Sequence, residues 1–193
     1  MMPYVCYSDF NCPFCYAMHE RLIEAGASDH VEWRGVQHAP YLPVPMKAWQ
    51  GRYAAELQQE VALVKQLAPA LAIALPPGKP NTRRALSAAA SAIRQDARRG
   101  GELVRALYAA FWRDGADLSD AAVLNGLMER SGIHVDGAPW DDTAIGEQLE
   151  RWDEAWRDTG HSGVPLLVGP EGEQVVGLVP DSDLSRFLHR AGR

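Results

Sequence analysis

The sequence is poor in cysteine, long apolar runs and positive charge. Its 193 residues hold three cysteines, and all three lie within the first fifteen positions. That number is odd and the placement clustered, which excludes a disulfide-stapled scaffold. The longest nearly apolar stretch, residues 68–75, contains Pro69 and is closed by Pro76-Pro77. It falls far short of the ~18 residues needed to cross a bilayer. The start, Met1-Met2-Pro3-Tyr4, has neither a basic nor an apolar segment. No secretory signal is expected, and a cytoplasmic address is the default. The net charge of −6 argues against a general nucleic-acid binder. The remaining proportions, 47% hydrophobic and 23% charged, are those of a folded globular chain.

The charge is uneven. Residues 79–105 carry seven basic and two acidic groups, and residues 114–183 carry three basic and sixteen acidic ones. Differently charged solvated helix faces account for this pattern. A basic patch for an anionic partner is the alternative.

Residues 3–9, rich in Tyr and Val, read as a strand. Pro13 then suits the first turn of a helix, where its missing N–H costs nothing. Phe14, Met18, Leu22 and Ala25 follow at helical spacing, with Gly26 as the stop. Residues 31–36 alternate as a second strand. Pro40, Pro43 and Pro45 lead away from it.

The middle of the chain reads as helical. Trp49, Tyr53, Leu57, Val61 and Val64 share one helix face. Asn81 or Thr82 caps a second helix, which Gly100-Gly101 should stop. A third runs from about Glu102 to Arg113, a fourth from a Ser119 cap to Gly132, and a fifth opens at Asp141 or Asp142. Residues 164–168 and 174–178 then read as a hairpin around Gly169-Pro170-Glu171-Gly172. Asp181 to Arg190 forms a closing helix.

Neither chain end supplies a sufficient core alone. The economical solution is an α/β fold with one sheet built from both ends: residues 1–45 and 160–193 as one split domain, and residues 46–159 as an inserted helical domain.

Cys12-Pro13-Phe14-Cys15 directly follows a strand and begins a helix. The unpaired N–H groups of a helix N-terminus favour an anion, and therefore a thiolate at Cys12. Such thiols fall from about 8.5 to between 3.5 and 7.5. Two intervening residues let the second thiol meet the first across one turn. Cys12 would attack a disulfide, and Cys15 would resolve the mixed disulfide.

A metal clip is the competing reading, since Cys12, Cys15 and His19 give C-x2-C-x3-H. No second Cys/His pair follows to close such a site, so no metal is expected. Cys6 reads as a small buried hydrophobe and His19 as a helix-surface histidine.

The segment Tyr7-Ser8-Asp9-Phe10-Asn11-Cys12-Pro13-Phe14-Cys15-Tyr16 resembles the active-site segment of DsbA-family thioredoxin-like proteins, especially the cytosolic FrnE-like branch. Val31-Glu32-Trp33-Arg34 is similar to that branch's second strand. Ser162-Gly163-Val164-Pro165 resembles its cis-proline loop, and residues 176–180 its last strand and the following turn. The resemblance implies a thioredoxin-like fold with a helical insertion and a disulfide oxidoreductase activity. It also implies a cis bond at Val164–Pro165 opposite the Cys12 sulfur, with the Val164 backbone binding an extended substrate. Pro13 and Phe14 belong to the same active-site context.

Two departures bear on substrate preference. Gly35-Val36-Gln37-His38 replaces a proline-containing end, and Leu166-Leu167 follows Pro165 where a threonine or aromatic is common.

Related 2-hydroxychromene-2-carboxylate isomerases and kappa-class glutathione transferases share the layout but carry serine where Cys12 stands. Glutathione-dependent isomerisation or transfer is therefore the alternative activity, with His38 as a candidate pocket residue. A third reading is a non-enzymatic binding module or holdase with a groove lined by Tyr41, Trp49 and Tyr53. The expected partners are protein or low-molecular-weight thiols and disulfides, glutathione among them as a co-substrate. No other cofactor, no nucleic acid and no membrane is expected, and the chain would act as a monomer or homodimer.

Overall fold

The computed structural model describes residues 4–190. Strand β1 (Tyr4–Ser8) passes into helix α1 (Pro13–Glu24), and a short 3-10 turn (Ser28–His30) leads to β2 (Val31–Gly35). Five helices follow: α2 (Gly51–Leu67), α3 (Arg83–Gln95), α4 (Ala97–Trp112), α5 (Ala121–Arg130) and α6 (Thr143–Asp158). The chain closes with β3 (Leu166–Val168), β4 (Gln174–Val176) and α7 (Asp181–Arg190).

The strands form one sheet in the order β2-β1-β3-β4. β1 and β2 run parallel, and α1 supplies the crossover that parallel neighbours need. β3 is antiparallel to β1, and β4 to β3. The sheet is thus assembled from both chain ends, with Tyr7 opposite Leu166 and Cys6 opposite Leu167.

Strand alternation sends side chains to opposite faces of the sheet. Tyr4, Cys6 and Leu167 join Met18, Leu22, Leu184 and Phe187 in a small core under α1 and α7. Tyr7 and Leu166 face a larger core with Phe10, Tyr16, Leu86, Leu107, Tyr108 and Trp152. The helices therefore pack directly on the sheet face beside the C-x-x-C segment. Tyr108, Phe111 and Trp112 are fully buried. Burial of a side chain of this size contributes roughly 1.5–3 kcal/mol.

Several local expectations are corrected. Gly100-Gly101 does not end a helix: α3 stops at Gln95, Asp96 caps α4 by accepting from the Arg99 N–H, and α4 runs through both glycines. The reason is close helix packing, since a Cβ at Gly100 would stand 2.5 Å from Ile93 Cα. Asp120, not Ser119, caps α5. Of the two residues expected to cap α3, Asn81 supplies the bond: its Oδ1 accepts from the Arg83 N–H at 3.1 Å. Leu57, Val61 and Val64 form the buried face of α2, whereas Tyr53 is 64% exposed and Trp49 precedes the helix. Tyr41 is also exposed.

The basic stretch is largely paired within the chain. Lys79 pairs with Glu60, Arg99 with Asp96 and Arg105 with Glu20, and Arg98 binds Glu102. Arg84 donates to the Ser119 carbonyl. Among the described residues, no helix is long and apolar enough to cross a membrane.

Candidate active site

Cys12 occupies the N-cap of α1 in extended conformation, with Pro13 in the first turn. The Cys12 carbonyl accepts from the N–H groups of Cys15 (3.1 Å) and Tyr16 (3.2 Å), which closes the first helical turn. That turn brings Cys12 and Cys15 to 3.6 Å, both as free thiols. Cys12 keeps slight exposure, while Cys15 is fully enclosed.

Their electrostatics differ accordingly. The Cys12 thiol is held below its ordinary value, chiefly by a hydrogen bond from the Cys15 side chain that outweighs burial. The Cys15 backbone N–H and the charges of His38 and Lys79 act in the same direction. Burial pushes the Cys15 thiol well above the ordinary range, and the neighbouring Cys12 raises it further. Cys12 is therefore the more acidic of the two thiols and Cys15 the less acidic.

Cys6 lies in the small core, where burial pushes its thiol up to about 12. It is inert there. His19 is not a surface histidine: its ring packs on Tyr108 with centroids 5.2 Å apart, and its Nε2 is buried without a partner. Burial lowers it to about 4. Among the described residues, no three His, Cys, Asp or Glu side chains converge on a point that could hold a metal.

The loop from the far end of the chain reaches the pair. The Val164–Pro165 peptide is cis, and the Cys12 Sγ–H donates to the Val164 carbonyl at 3.5 Å. Trp156 Nε1 holds the Gly163 carbonyl, and Gly177 N–H holds that of Pro165. The helical layer pins the segment before Cys12 in the same way. Trp112 Nε1 donates to the Phe10 carbonyl at 2.8 Å, and Asn11 Nδ2 to that of Pro80 at 3.1 Å. Phe14 is half-buried beside this arrangement.

Asp9, Ser8, Lys79 and Tyr108 were not singled out by the sequence. The Asp9 N–H donates to Cys15 Sγ at 3.5 Å, its carbonyl accepts from the Cys12 N–H at 3.2 Å, and its carboxylate holds His38. Lys79 reaches Glu60 at 2.6 Å and lies 5.8 Å from the Trp49 ring centre. The only local signal for Asp9 is its position three residues before Cys12. Lys79 has none, because it arrives from a turn 67 residues further along the chain.

Residues 5–189 match the family model for the DSBA-like thioredoxin domain. The fold is similar to a probable DsbA oxidoreductase from Streptomyces coelicolor, with a TM-score of 0.78 and 21% identity over 100% of this chain and 90% of that one. It is also similar to a 2-hydroxychromene-2-carboxylate isomerase, with a TM-score of 0.74 and 18% identity over 100% of this chain and 95% of that one. The cytosolic disulfide reductase DsbM from Pseudomonas aeruginosa, solved with glutathione, aligns with a TM-score of 0.74 and 16% identity over 97% of this chain and 98% of that one. No curated protein sequence matches the chain. The thioredoxin-type sheet, the helices packed upon it and the family match over nearly the whole length agree: this chain belongs to the DSBA-like thioredoxin domain family.

Proposed function

We propose that the protein is a thiol–disulfide oxidoreductase that works through Cys12 and Cys15. One observation carries this reading: two free thiols lie 3.6 Å apart at a helix N-terminus, with acidities driven in opposite directions. In this reading residues 1–45 and 160–193 form the redox half, and residues 46–159 the insertion that closes over it.

The Cys12 thiolate attacks one sulfur of a substrate disulfide. The substrate S–S bond breaks, a mixed disulfide forms, and the first substrate thiolate departs. Cys15 then loses its proton and attacks the Cys12 sulfur. The second substrate thiol leaves, and an intramolecular Cys12–Cys15 disulfide remains. The substrate has gained two electrons and the protein has lost them. Running the steps backwards oxidises a substrate dithiol.

In this reading Val164 and Pro165 form the wall opposite the nucleophile, and the Val164 backbone pairs with an extended substrate segment; the Cys12–Val164 contact supports it. Pro13 and Phe14 complete the motif between the two thiols, and His38, whose charge acts on Cys12, is the candidate pocket residue beside it. Proteins and small thiols such as glutathione are the substrate class. In the cytoplasm, the location this reading assigns, the pair would rest mostly reduced.

Equilibration in graded glutathione redox buffers, followed by thiol labelling and peptide mapping, tests the proposal. The expected result is a reversible Cys12–Cys15 disulfide. Its absence at every poise would overturn the reading. The likeness to the isomerase fold favours a second reading, glutathione-dependent isomerisation. That reading requires a lasting glutathione complex with no dithiol turnover.

A further inference from the structure

We propose that His38, oriented by the buried carboxylate of Asp9, is the charge partner of the Cys12 thiolate and the source of the proton taken by the first departing thiolate. The proposal rests on the dithiol reading above and adds a residue and a proton route to it.

The geometry centres on Asp9. Its carboxylate is fully buried, and Oδ2 accepts from the His38 backbone N–H at 3.1 Å and meets His38 Nδ1 at 2.7 Å. Among the described residues, its other oxygen, Oδ1, has no hydrogen-bond partner. A buried carboxylate with one unpartnered oxygen favours a cationic neighbour, and the imidazole of His38 is the group in place. The backbone of the same residue contacts both cysteines, through the Cys12 N–H and the Cys15 sulfur. Asp9 therefore fixes His38 and the dithiol as one unit.

The His38 side chain is 28% exposed, and among the described residues its Nε2 has no hydrogen-bond partner. With Nδ1 engaged by Asp9, Nε2 is the nitrogen free to serve a substrate.

The charged groups facing His38 are Asp9, Cys12 and Lys79. Burial opposes its charge, but the hydrogen bond and charge of Asp9, helped by Cys12, hold it above its ordinary value. Lys79 acts the other way and is itself neutralised by Glu60.

The Cys12 and His38 effects are reciprocal, and this links the charge to the reaction. When the thiolate becomes a neutral mixed disulfide, His38 loses one of the charges that kept it protonated. Its proton then passes to the first substrate thiolate, giving a neutral thiol and a neutral imidazole. The proton that Cys15 releases goes to the second. Two protons enter, on His38 and Cys15, and two leave as substrate thiols.

The test compares wild type with His38→Gln and His38→Lys in the full-length reduced protein. The rate of Cys12 alkylation by iodoacetamide is followed against pH, and the His38 ring is followed by NMR. In His38→Gln the alkylation midpoint should move up by about 1 pH unit. His38→Lys should keep the low midpoint while slowing release of the first thiol. In wild type the His38 titration should fall once Cys12 is alkylated. An unmoved midpoint in a folded His38→Gln protein, or a His38 titration indifferent to Cys12 alkylation, overturns the proposal. The functional reading fails separately, on a wild type that forms no Cys12–Cys15 disulfide.

Discussion

The hydroxyls of Ser8 and Tyr108 lie 2.6 Å apart in the centre of the protein, although one hundred residues separate them in the chain. Ser8 ends β1, and Tyr108 comes from the middle of α4. Ser8 also hydrogen-bonds the Cys15 side chain, lowering a thiol that burial otherwise raises. Burial pushes the Tyr108 hydroxyl well above its ordinary range, so it remains a neutral phenol. The helical layer thus reaches Cys15 through two buried hydroxyls.

Removing the phenol should be costly. Tyr108→Phe takes from Ser8 one of its two buried partners, a loss of about 1–3 kcal/mol. Urea unfolding should show a lower midpoint with an unchanged slope. A change below measurement error would mean that the Ser8 hydroxyl turns to another acceptor.

The two cysteines should fail in different ways. Cys12→Ser should abolish disulfide exchange, because no nucleophile remains at the helix N-terminus. Cys15→Ser should still attack but stall, accumulating a mixed disulfide with glutathione. Intact mass spectrometry distinguishes the two outcomes, and equal adduct formation by both variants would contradict the assigned roles.

His19 should make stability depend on pH. The unfolded imidazole takes a proton near 6.5 and the folded one near 4. The unfolded state therefore binds more protons between these values. The His19 contribution is complete above pH 6.5 and is lost as pH falls towards 4, to a total of roughly 3 kcal/mol. His19→Phe keeps the ring against Tyr108 and removes the unpaired Nε2. Its unfolding free energy should fall less steeply than that of wild type across this window. Parallel curves would show that His19 is not the titrating group.

Gly100 and Gly101, adjacent in α4, should respond oppositely to alanine. A Cβ at Gly100 would collide with the Ile93 backbone, whereas nothing lies within 4 Å of one at Gly101. Gly101→Ala should stabilise by about 0.5–1 kcal/mol through helix propensity. Gly100→Ala should destabilise by about 1–3 kcal/mol, because α3 and α4 must separate. Thermal unfolding of the pair checks both signs at once.

The C-x-x-C motif and most elements are legible in the sequence because their causes are local. Pro13 after Cys12 starts a helix, the alternation of residues 31–35 makes a strand, and the 3.6-residue periodicity of Ile145, Leu149, Trp152 and Trp156 buries one face of α6. The errors arise where tertiary packing overrides local preference. Gly100-Gly101 carries a stop signal, yet Ile93 needs that glycine surface to bring two helices together. His19 occupies a helix position that reads as solvated, but Tyr108 from α4 covers it.

The sequence by itself determined a dithiol at a helix N-terminus, because strand, cap and spacing all lie within twelve consecutive residues. It also determined that the two ends must share a sheet, since neither has a core of its own. What surrounds the dithiol was decided only by tertiary structure. Val164 arrives 152 residues after Cys12, Tyr108 one hundred after Ser8, and His38 twenty-nine after Asp9. The burial that raises Cys15 and the His38 and Lys79 charges that help to lower Cys12 come from distant parts of the chain, whereas the chief pull on Cys12, the Cys15 hydrogen bond, is local.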